Sequence, residues 1–453
     1  MRVLIVGAGE VGFHTALRLS SERHDVIVVD LSASRIREVA ERMDVQTLVA
    51  SGSSPLALQE AGVEHADMVV AVTDSDEVNM VACLYARLLA PSATRVARIR
   101  ETDYLTMPEA FGPDHLDVAS VINPEREVAT QILNFLKVPA ASSVTDFAGG
   151  KVKLLGLRVP AASPLVGSRM AQLRSPDGPV FLVAAIERDG EMIVPRGEDI
   201  LLSGDLAHLV ARARDVDQVL THFGLSNQPV RNMVVVGGGT IGRMVAAGAQ
   251  AMGIKVRIIE KDPRRCRRIA EDLDGVVVLS GDGTDVTLLR EENIGSTDVF
   301  AALTDDEEDN ILMALLGNKM GARRTVTRVA HVGYVPLITS LGLDLVVSPR
   351  FAAAGAIVSY MRKGKVLSVA SLKDSGAEVI EVEALATSGV VGKPLAKVKM
   401  PRGALLAAVS REGEVIIPTG TTVVQPGDHL VLFLLPDVWR KMEKLLTVRL
   451  EYF

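Results

Sequence analysis

Several things are scarce in this sequence, and each scarcity narrows what it can be. Aromatic residues make up only 4% of its 453 positions. Its cores must therefore be aliphatic, and Val, Leu, Ile and Ala dominate the apolar runs, as in parallel strands covered on both faces. Cysteine is nearly absent. Cys83 and Cys266 lie far apart and neither sits in a paired motif, which fits a reduced, cytoplasmic protein and not a disulfide scaffold. Excess positive charge is lacking too: the net charge of -7 disfavours general nucleic-acid binding. Long hydrophobic runs are missing despite a mean hydropathy of +0.26. Stretches free of Asp, Glu, Lys, Arg and His do not exceed 15 residues, and the one from Val415 to Gly427 is interrupted by Pro418, Gly420 and Pro426. A spanning helix needs ~20 apolar residues, so none is expected. The apolar run at the N-terminus leads straight into a glycine turn with no small-residue cleavage site, which does not read as a signal peptide.

Reaction machinery is equally sparse. The histidines (His14, His24, His65, His115, His208, His222, His331 and His429) are scattered, with no visible His/Asp pairing. A dehydrogenase needs a general acid or base beside its substrate. No metal-ligand spacing and no nucleophile motif appear, so no catalytic residue and no metal ligand is assigned.

What is present is one arrangement used twice. MRVLIVGAGEVGFHTALRLS opens the chain and RNMVVVGGGTIGRMVAAGAQ recurs later. Each reads as a strand ending in a Gly-x-Gly-x-x-Gly turn that opens a helix: Gly7, Gly9 and Gly12, then Gly237, Gly239 and Gly242. The similarity continues through HDVIVVD and IKVRIIEKD, through VQTLVASG and GVVVLSGDG, and through ADMVVAVTDSDEVNM and TDVFAALTDDEEDNI. Short aliphatic strands alternating with helix-length segments predict a doubly wound parallel sheet. A second, smaller unit follows each large one, with Gly/Asp hairpin turns at Arg188-Asp189-Gly190 and Arg411-Glu412-Gly413 and a Gly-Asp before the last strand. It reads as a small mixed α+β domain. The expected fold class is α/β, with two Rossmann-like domains at 1–123 and 231–348, each followed by a small α+β domain, at 143–227 and 368–453. Helical segments from Pro124 and from Pro349 join large units to small ones. Each reads either as an ordinary connector or as a helix crossing onto a neighbouring domain.

A glycine turn at a helix N-terminus lets the backbone approach a pyrophosphate, where free amides and the helix dipole favour the anion. An acidic residue stands 23 positions after the first glycine in both copies, at Asp30 and at Glu260. An acid there hydrogen-bonds the ribose diol and repels a 2′-phosphate, which favours NAD over NADP. Lys261, Arg264, Arg265, Arg267 and Arg268 crowd the second site. They read either as partners for extra phosphate or as one solvated face of a helix capped by Asp262. ATP or another adenine nucleotide stays open at either site. Thr73-Asp74 and Thr304-Asp305 follow the fourth strand of each unit, where open α/β sheets bind ligand, although they also suit helix caps. Arg98 and Arg328 end the fifth strand and read as phosphate contacts or as structural ion pairs. SGDG places Asp282 after the third strand of the second unit, and an alignment on SGSS puts Ser53 in its place in the first.

The duplicated order of large and small units, together with MRVLIVGAGEVGFHTA, VVD, AVTDSDEVNM and VARIR, resembles two regulator-of-potassium-conductance (RCK, or KTN) modules. Their tandem arrangement over essentially the whole chain is similar to the TrkA-type peripheral subunits of Trk potassium-uptake systems. The resemblance implies nucleotide-binding residues at Gly7, Ala8, Gly9, Glu10, Val11, Asp30, Thr73, Asp74 and Arg98. By the internal repeat it also implies Gly237, Gly238, Gly239, Thr240, Ile241, Glu260, Thr304, Asp305 and Arg328. It implies a regulatory subunit and not an enzyme, cytoplasmic and peripheral on the inner face of the cell membrane. Such a subunit binds NAD(H), with ATP as a further ligand, and forms a ring-like homo-oligomer. It gates an integral-membrane potassium-translocating subunit (TrkH/TrkG-like). An NAD-dependent oxidoreductase and a nucleotide-sensing scaffold for a different transporter are the alternatives.

Overall fold

Apolar runs of four to six residues, rich in Val and Ile, are too short for helices and well suited to a pleated, buried surface. In the computed structural model, which describes residues 1–173, 179–331, 334–361, 366–372, 377–435 and 438–446, they form the strands. In the first large unit β1 (Arg2–Val6), β2 (Asp25–Asp30), β3 (Gln46–Val49), β4 (Met68–Ala71), β5 (Thr94–Arg98) and β6 (Ser120–Ile122) make one sheet in the order β3-β2-β1-β4-β5-β6. Every pairing is parallel. Helices α1 (Glu10–Ser21), α2 (Ala33–Arg42), α3 (Pro55–Glu60) and α4 (Asp76–Leu89) connect the strands, and α5 (Pro124–Lys137) leads out. Both faces are covered. Val3, Ile5 and Val28 lie in one apolar cluster, and Leu4, Val6 and Val29 in another. That two-sided burial is why these strands read as unbroken apolar runs.

The first small unit is an antiparallel sheet of β7 (Ser143–Phe147), β8 (Val152–Arg158), β9 (Phe181–Arg188), β10 (Glu191–Ile193) and β11 (Leu206–Arg212), with α6 (Val216–His222) on one face. The second large unit repeats the parallel sheet with β12 (Asn232–Val236), β13 (Lys255–Glu260), β14 (Val277–Ser280), β15 (Val299–Ala302), β16 (Arg324–Arg328) and β17 (Leu345–Val347), ordered β14-β13-β12-β15-β16-β17. Its helices are α7 (Thr240–Ala251), α8 (Pro263–Asp272), α9 (Val286–Glu291), α10 (Glu307–Met320) and α11 (Val335–Ser340), followed by α12 (Pro349–Met361). The second small sheet contains β18 (Val366–Ser371), β19 (Glu378–Glu383), β20 (Ala404–Arg411), β21 (Glu414–Ile416) and β22 (His429–Leu434), with α13 (Trp439–Leu446). The fold class is the expected one: two Rossmann-like parallel sheets, each followed by a small antiparallel α+β unit. Among the described residues no helix is long and apolar enough to cross a membrane.

The chain divides into two compact units. One holds Met1–Val128 together with the segment that opens at Ser348, and so includes α12. This helix follows the second Rossmann sheet in sequence, yet it packs on α1 of the first. Ala353 and Ile357 are buried in the same cluster as Val11 and Leu19. Its small residues permit that close approach, so the segment from Pro349 is a crossing helix and not a passive connector. The other unit holds the second Rossmann sheet and both small sheets. Here Leu133 of α5 lies against Gly248 of α7. The two small sheets share one apolar layer, with Phe147, Leu154 and Val210 meeting Val379, Ala407 and Phe433. The buried Glu381 fastens that layer across the pair, accepting the backbone N–H of Ala148 at 2.9 Å and the Ser368 hydroxyl at 3.0 Å.

Candidate nucleotide-binding sites

Each glycine turn follows the central strand of its sheet, at the crevice where the strand order reverses between β1 and β4 and between β12 and β15. Open α/β sheets offer their ligand site there. Gly7 has φ +109° and Gly237 has φ +104°, a conformation only glycine adopts without strain. The third glycine of each turn is needed for space. A Cβ at Gly12 would lie 1.8 Å from the carbonyl oxygen of Gly7, and one at Gly242 would lie 2.0 Å from that of Gly237. The middle glycines face open space instead. A Cβ at Gly9 would meet only the Arg35 guanidinium at 3.5 Å, and one at Gly239 would meet nothing within 4 Å.

The helices behind these turns are capped differently from their neighbours. Ser32, Ser54 and Ser75 cap α2, α3 and α4 with their side chains. Asp262, Asp285 and Asp306 do the same for α8, α9 and α10. At Gly9 and Gly239, the N-caps of α1 and α7, no side chain bonds the first-turn amides. Those amides and the positive end of the helix dipole are open to an anion.

Asp30 and Glu260 both end the second strand of their sheet and turn back onto the glycine loop. Asp30 accepts the Ala8 N–H at 2.6 Å on one oxygen and the Ser32 N–H at 2.7 Å on the other. Glu260 accepts the Gly238 and Asp262 N–H groups, both at 2.9 Å. Each carboxylate is oriented by backbone, with lone pairs left over for hydroxyl donors. The two sites then diverge. Glu260 is only 4% exposed and pairs with Arg265 at 3.3 Å. Its first-unit counterpart, Arg35, instead lies over Gly9 and stands 3.7 Å from Asp74. Arg35 was not singled out from sequence, although an arginine five positions after the acid in both copies was a usable signal. Lys261, Arg264, Arg267 and Arg268 are exposed, and Asp262 caps the helix start with the Arg264 N–H at 2.8 Å. Apart from Arg265, the basic run is a solvated face.

Thr73 and Thr304 sit at the crevice, but neither caps a helix; Ser75 and Asp306 do. An asparagine in the first turn of the next helix braces each threonine. Asn79 accepts the Thr73 N–H and hydroxyl, both at 2.8 Å, and donates to the carbonyls of Thr73 and Arg98 at 3.1 and 2.9 Å. Asn310 repeats all four bonds with Thr304 and Arg328. These asparagines tie the ends of the fourth and fifth strands together. Asp76 and Glu307, also missed from sequence, hold the loop that follows. Asp76 accepts the N–H groups of Arg100 and Glu101, and Glu307 those of Ala330 and His331.

Arg98 and Arg328 both form ion pairs, unequally. Arg328 stands 2.6 Å from Asp305 and bonds the Thr304 carbonyl at 2.7 Å. Arg98 reaches the largely exposed Asp74 only at 3.4 Å, and its Nε is buried with no hydrogen-bond partner. Burial, and next the Arg100 charge, push the Arg98 guanidinium below its ordinary value.

The expected equivalence of Ser53 and Asp282 does not hold. Backbone bonds set the register: Ala50 N–H to the Asp30 carbonyl matches Gly281 N–H to the Glu260 carbonyl. A Cβ at Gly52 would strike Val6, and one at Gly283 would strike Val236. Gly52 therefore matches Gly283, and Ser51 matches Asp282. Both side chains do the same work. The Ser51 hydroxyl accepts the Ser53 N–H, and Asp282 accepts the Thr284 N–H. Aligning on Ser-Gly had shifted the pairing by two positions. Among the described residues no group of three or more His, Cys, Asp or Glu side chains is placed to hold a metal ion.

Residues 3–124 and 233–349 match the TrkA-N domain, and residues 154–224 and 379–447 match the TrkA-C domain. The chain is 37% identical over 458 residues to the Trk system potassium uptake protein TrkA of Halomonas elongata. It is 39% identical over 460 residues to the protein of the same name from Azorhizobium caulinodans. Each alignment covers 100% of both chains. Among solved structures it is similar in fold to the GsuK channel bound to NAD, with a TM-score of 0.62 and 18% identity over 98% of this chain and 78% of that one.

Proposed function

Because this chain belongs to the TrkA family of Trk-system potassium uptake proteins, we propose that it is a nucleotide-sensing regulatory subunit of a potassium-uptake system. It binds NAD(H) at the first glycine turn and gates an integral-membrane potassium-translocating subunit of TrkH/TrkG type from the cytoplasmic face. Its working divisions are 1–123, 143–227, 231–348 and 368–453, assembled as a ring-like homo-oligomer. One observation carries the reading. An uncapped helix N-terminus and a backbone-oriented carboxylate face the same crevice, and the chain contains that constellation twice. The dipole and amides suit a pyrophosphate, and the carboxylate suits a ribose diol. Gly7, Ala8, Gly9, Glu10, Val11, Asp30, Thr73, Asp74 and Arg98 form the first site. Gly237 to Ile241, Glu260, Thr304, Asp305 and Arg328 form the second.

The second site is the more permissive of the two. Arg265 beside Glu260 reduces the negative field that would reject additional phosphate, which favours ATP or another adenine nucleotide there as well as NAD(H).

A nucleotide moves a gate only by the difference in its affinity for the two gate states. Taking the equilibrium from 1:99 to 99:1 needs roughly 10⁴-fold discrimination, ~5.5 kcal/mol. Two sites per chain in an assembly divide that requirement into small increments, with no reaction needed. The test is potassium uptake by cells lacking the protein, alongside calorimetry with NADH on the full-length chain. Loss of nucleotide-dependent uptake, and a first-site affinity lowered by Asp30→Ala, are the expected results. Unchanged uptake, or turnover of NADH with a metabolite, overturns the proposal.

A further inference from the structure

The first glycine turn carries an acid where the second does not. Glu10, the opening residue of α1, corresponds to Thr240. A carboxylate suits a helix N-terminus, but it repels a diphosphate bound at the same place. The structure supplies a cation beside it, from the far half of the sequence. Arg350, the second residue of α12, has Nη1 3.2 Å from a Glu10 carboxylate oxygen. That nitrogen is shielded from solvent, and although it faces Glu10 it forms no well-aligned hydrogen bond with the carboxylate, so the pairing is electrostatic and the guanidinium is not locked to Glu10. The Arg350 side chain is 31% exposed, and packing of Ala353 and Ile357 into the α1 core holds its helix in place.

His14 also faces Glu10, at 3.6 Å, one turn along α1, and its ring lies 5.2 Å from that of Phe351. Burial and the Arg350 charge push it below its ordinary value although Glu10 pulls the other way, so it is neutral near pH 7 and Arg350 is the local cation. In sequence, the crossing segment that starts at Pro124 carries Glu125 where the one from Pro349 carries Arg350. The turn with an acid is thus matched with a crossing helix that brings a cation to it.

We propose that Arg350 is a phosphate-binding residue of the first nucleotide site, offsetting Glu10 and contacting the diphosphate, so that nucleotide binding and docking of α12 on α1 are coupled. Coupling of this kind is reciprocal. A nucleotide in the first site tightens the hold on the crossing helix, and a movement of that helix weakens the nucleotide. The inference rests on the first site being a dinucleotide site.

The experiment is NADH calorimetry on the full-length protein, with the first-site transition identified as the one Asp30→Ala removes. Arg350→Gln should weaken that transition about tenfold, the usual scale for such couplings. Arg350→Lys should keep it within about threefold, and Glu10→Gln added to Arg350→Gln should restore most of the loss, as expected for interacting neighbours. Glu10→Gln alone should tighten NADH several-fold, because Arg350 is then free for phosphate. Unaltered affinity in Arg350→Gln, or a loss that Glu10→Gln does not rescue, overturns the inference. If Arg350→Gln does not fold, Glu10→Gln alone decides: an unchanged affinity overturns it. A transition insensitive to Asp30→Ala would overturn the dinucleotide site itself, which is a different outcome.

Discussion

Replacing Gly9 with alanine separates folding from nucleotide binding. Gly9 has φ -66° and ψ -178°, ordinary extended backbone for any residue, and its added Cβ would meet only the Arg35 guanidinium at 3.5 Å. Alanine is a poorer N-cap than glycine by up to about 1 kcal/mol. The more restricted unfolded chain offsets this by about 0.4–1 kcal/mol. Net stability should therefore stay within about 0.5 kcal/mol of the parent. The bound state differs, because the middle glycine exists so that backbone and pyrophosphate can meet closely. Forcing a methyl group into that contact costs about 1–3 kcal/mol, or roughly 5- to 150-fold in affinity at 1.4 kcal/mol per factor of ten. Gly239→Ala should behave alike at the second site, where nothing lies within 4 Å of the new atom. Gly12→Ala is the control. Its Cβ would sit 1.8 Å from the Gly7 carbonyl oxygen and 2.9 Å from the carbonyl carbon, so it should lose about 3 kcal/mol of stability or more as well as binding. Urea midpoints and NADH calorimetry on the three variants give the answer. Wild-type affinity at the first site in Gly9→Ala would refute the pyrophosphate assignment, and wild-type stability in Gly12→Ala would refute the close backbone approach.

Two further outcomes follow from buried groups. Burial pushes the Cys83 thiol up to about 12, so iodoacetamide at pH 8 should label Cys83 only after unfolding; rapid labelling of the native protein, located by mass spectrometry, would contradict the packing. Burial alone would raise the Glu307 carboxyl, but the N–H groups and imidazole of His331 and the N–H of Ala330 outweigh it and hold the carboxyl below its ordinary value. A depressed carboxyl contributes stability above the unfolded value near 4.5, and that contribution disappears as pH falls through the lower folded value. Urea midpoints measured from pH 7 down to pH 3 should fall less steeply in Glu307→Gln than in the parent, and identical slopes would count against the loop brace.

The sequence was most readable where one periodicity served one purpose. The parallel strands stood out because burial on both faces demands continuous apolar runs. Asp30 and Glu260 stood out because the distance from turn to second-strand end is set by one helix and one strand. Spacing said less wherever a side chain had a choice of partner. Arg35 and Arg265 occupy matching positions, yet one reaches toward Asp74 and the other toward Glu260. Thr73 and Thr304 looked like caps because acids and serines follow them; the caps, Ser75 and Asp306, are two residues further on. Pairing Ser53 with Asp282 followed a local Ser-Gly match, but that Ser-Gly falls two positions earlier in the second copy, whose loop before the third strand is one residue longer. Backbone hydrogen bonds carry the true register and leave no mark in residue identity.

Some features were determined by the sequence alone: the two Rossmann-like sheets, the two small units that follow them, and the acid at the end of each second strand. These depend on contacts within a few dozen residues, and local pattern records such contacts. Tertiary structure alone decided which sheet receives α12, that Arg350 meets Glu10, and that the small sheets join through a layer fastened by Glu381. Each of these brings together residues far apart in the chain, and their pairing depends on how whole elements pack. A helix's apolar face declares that it will be buried but not against what.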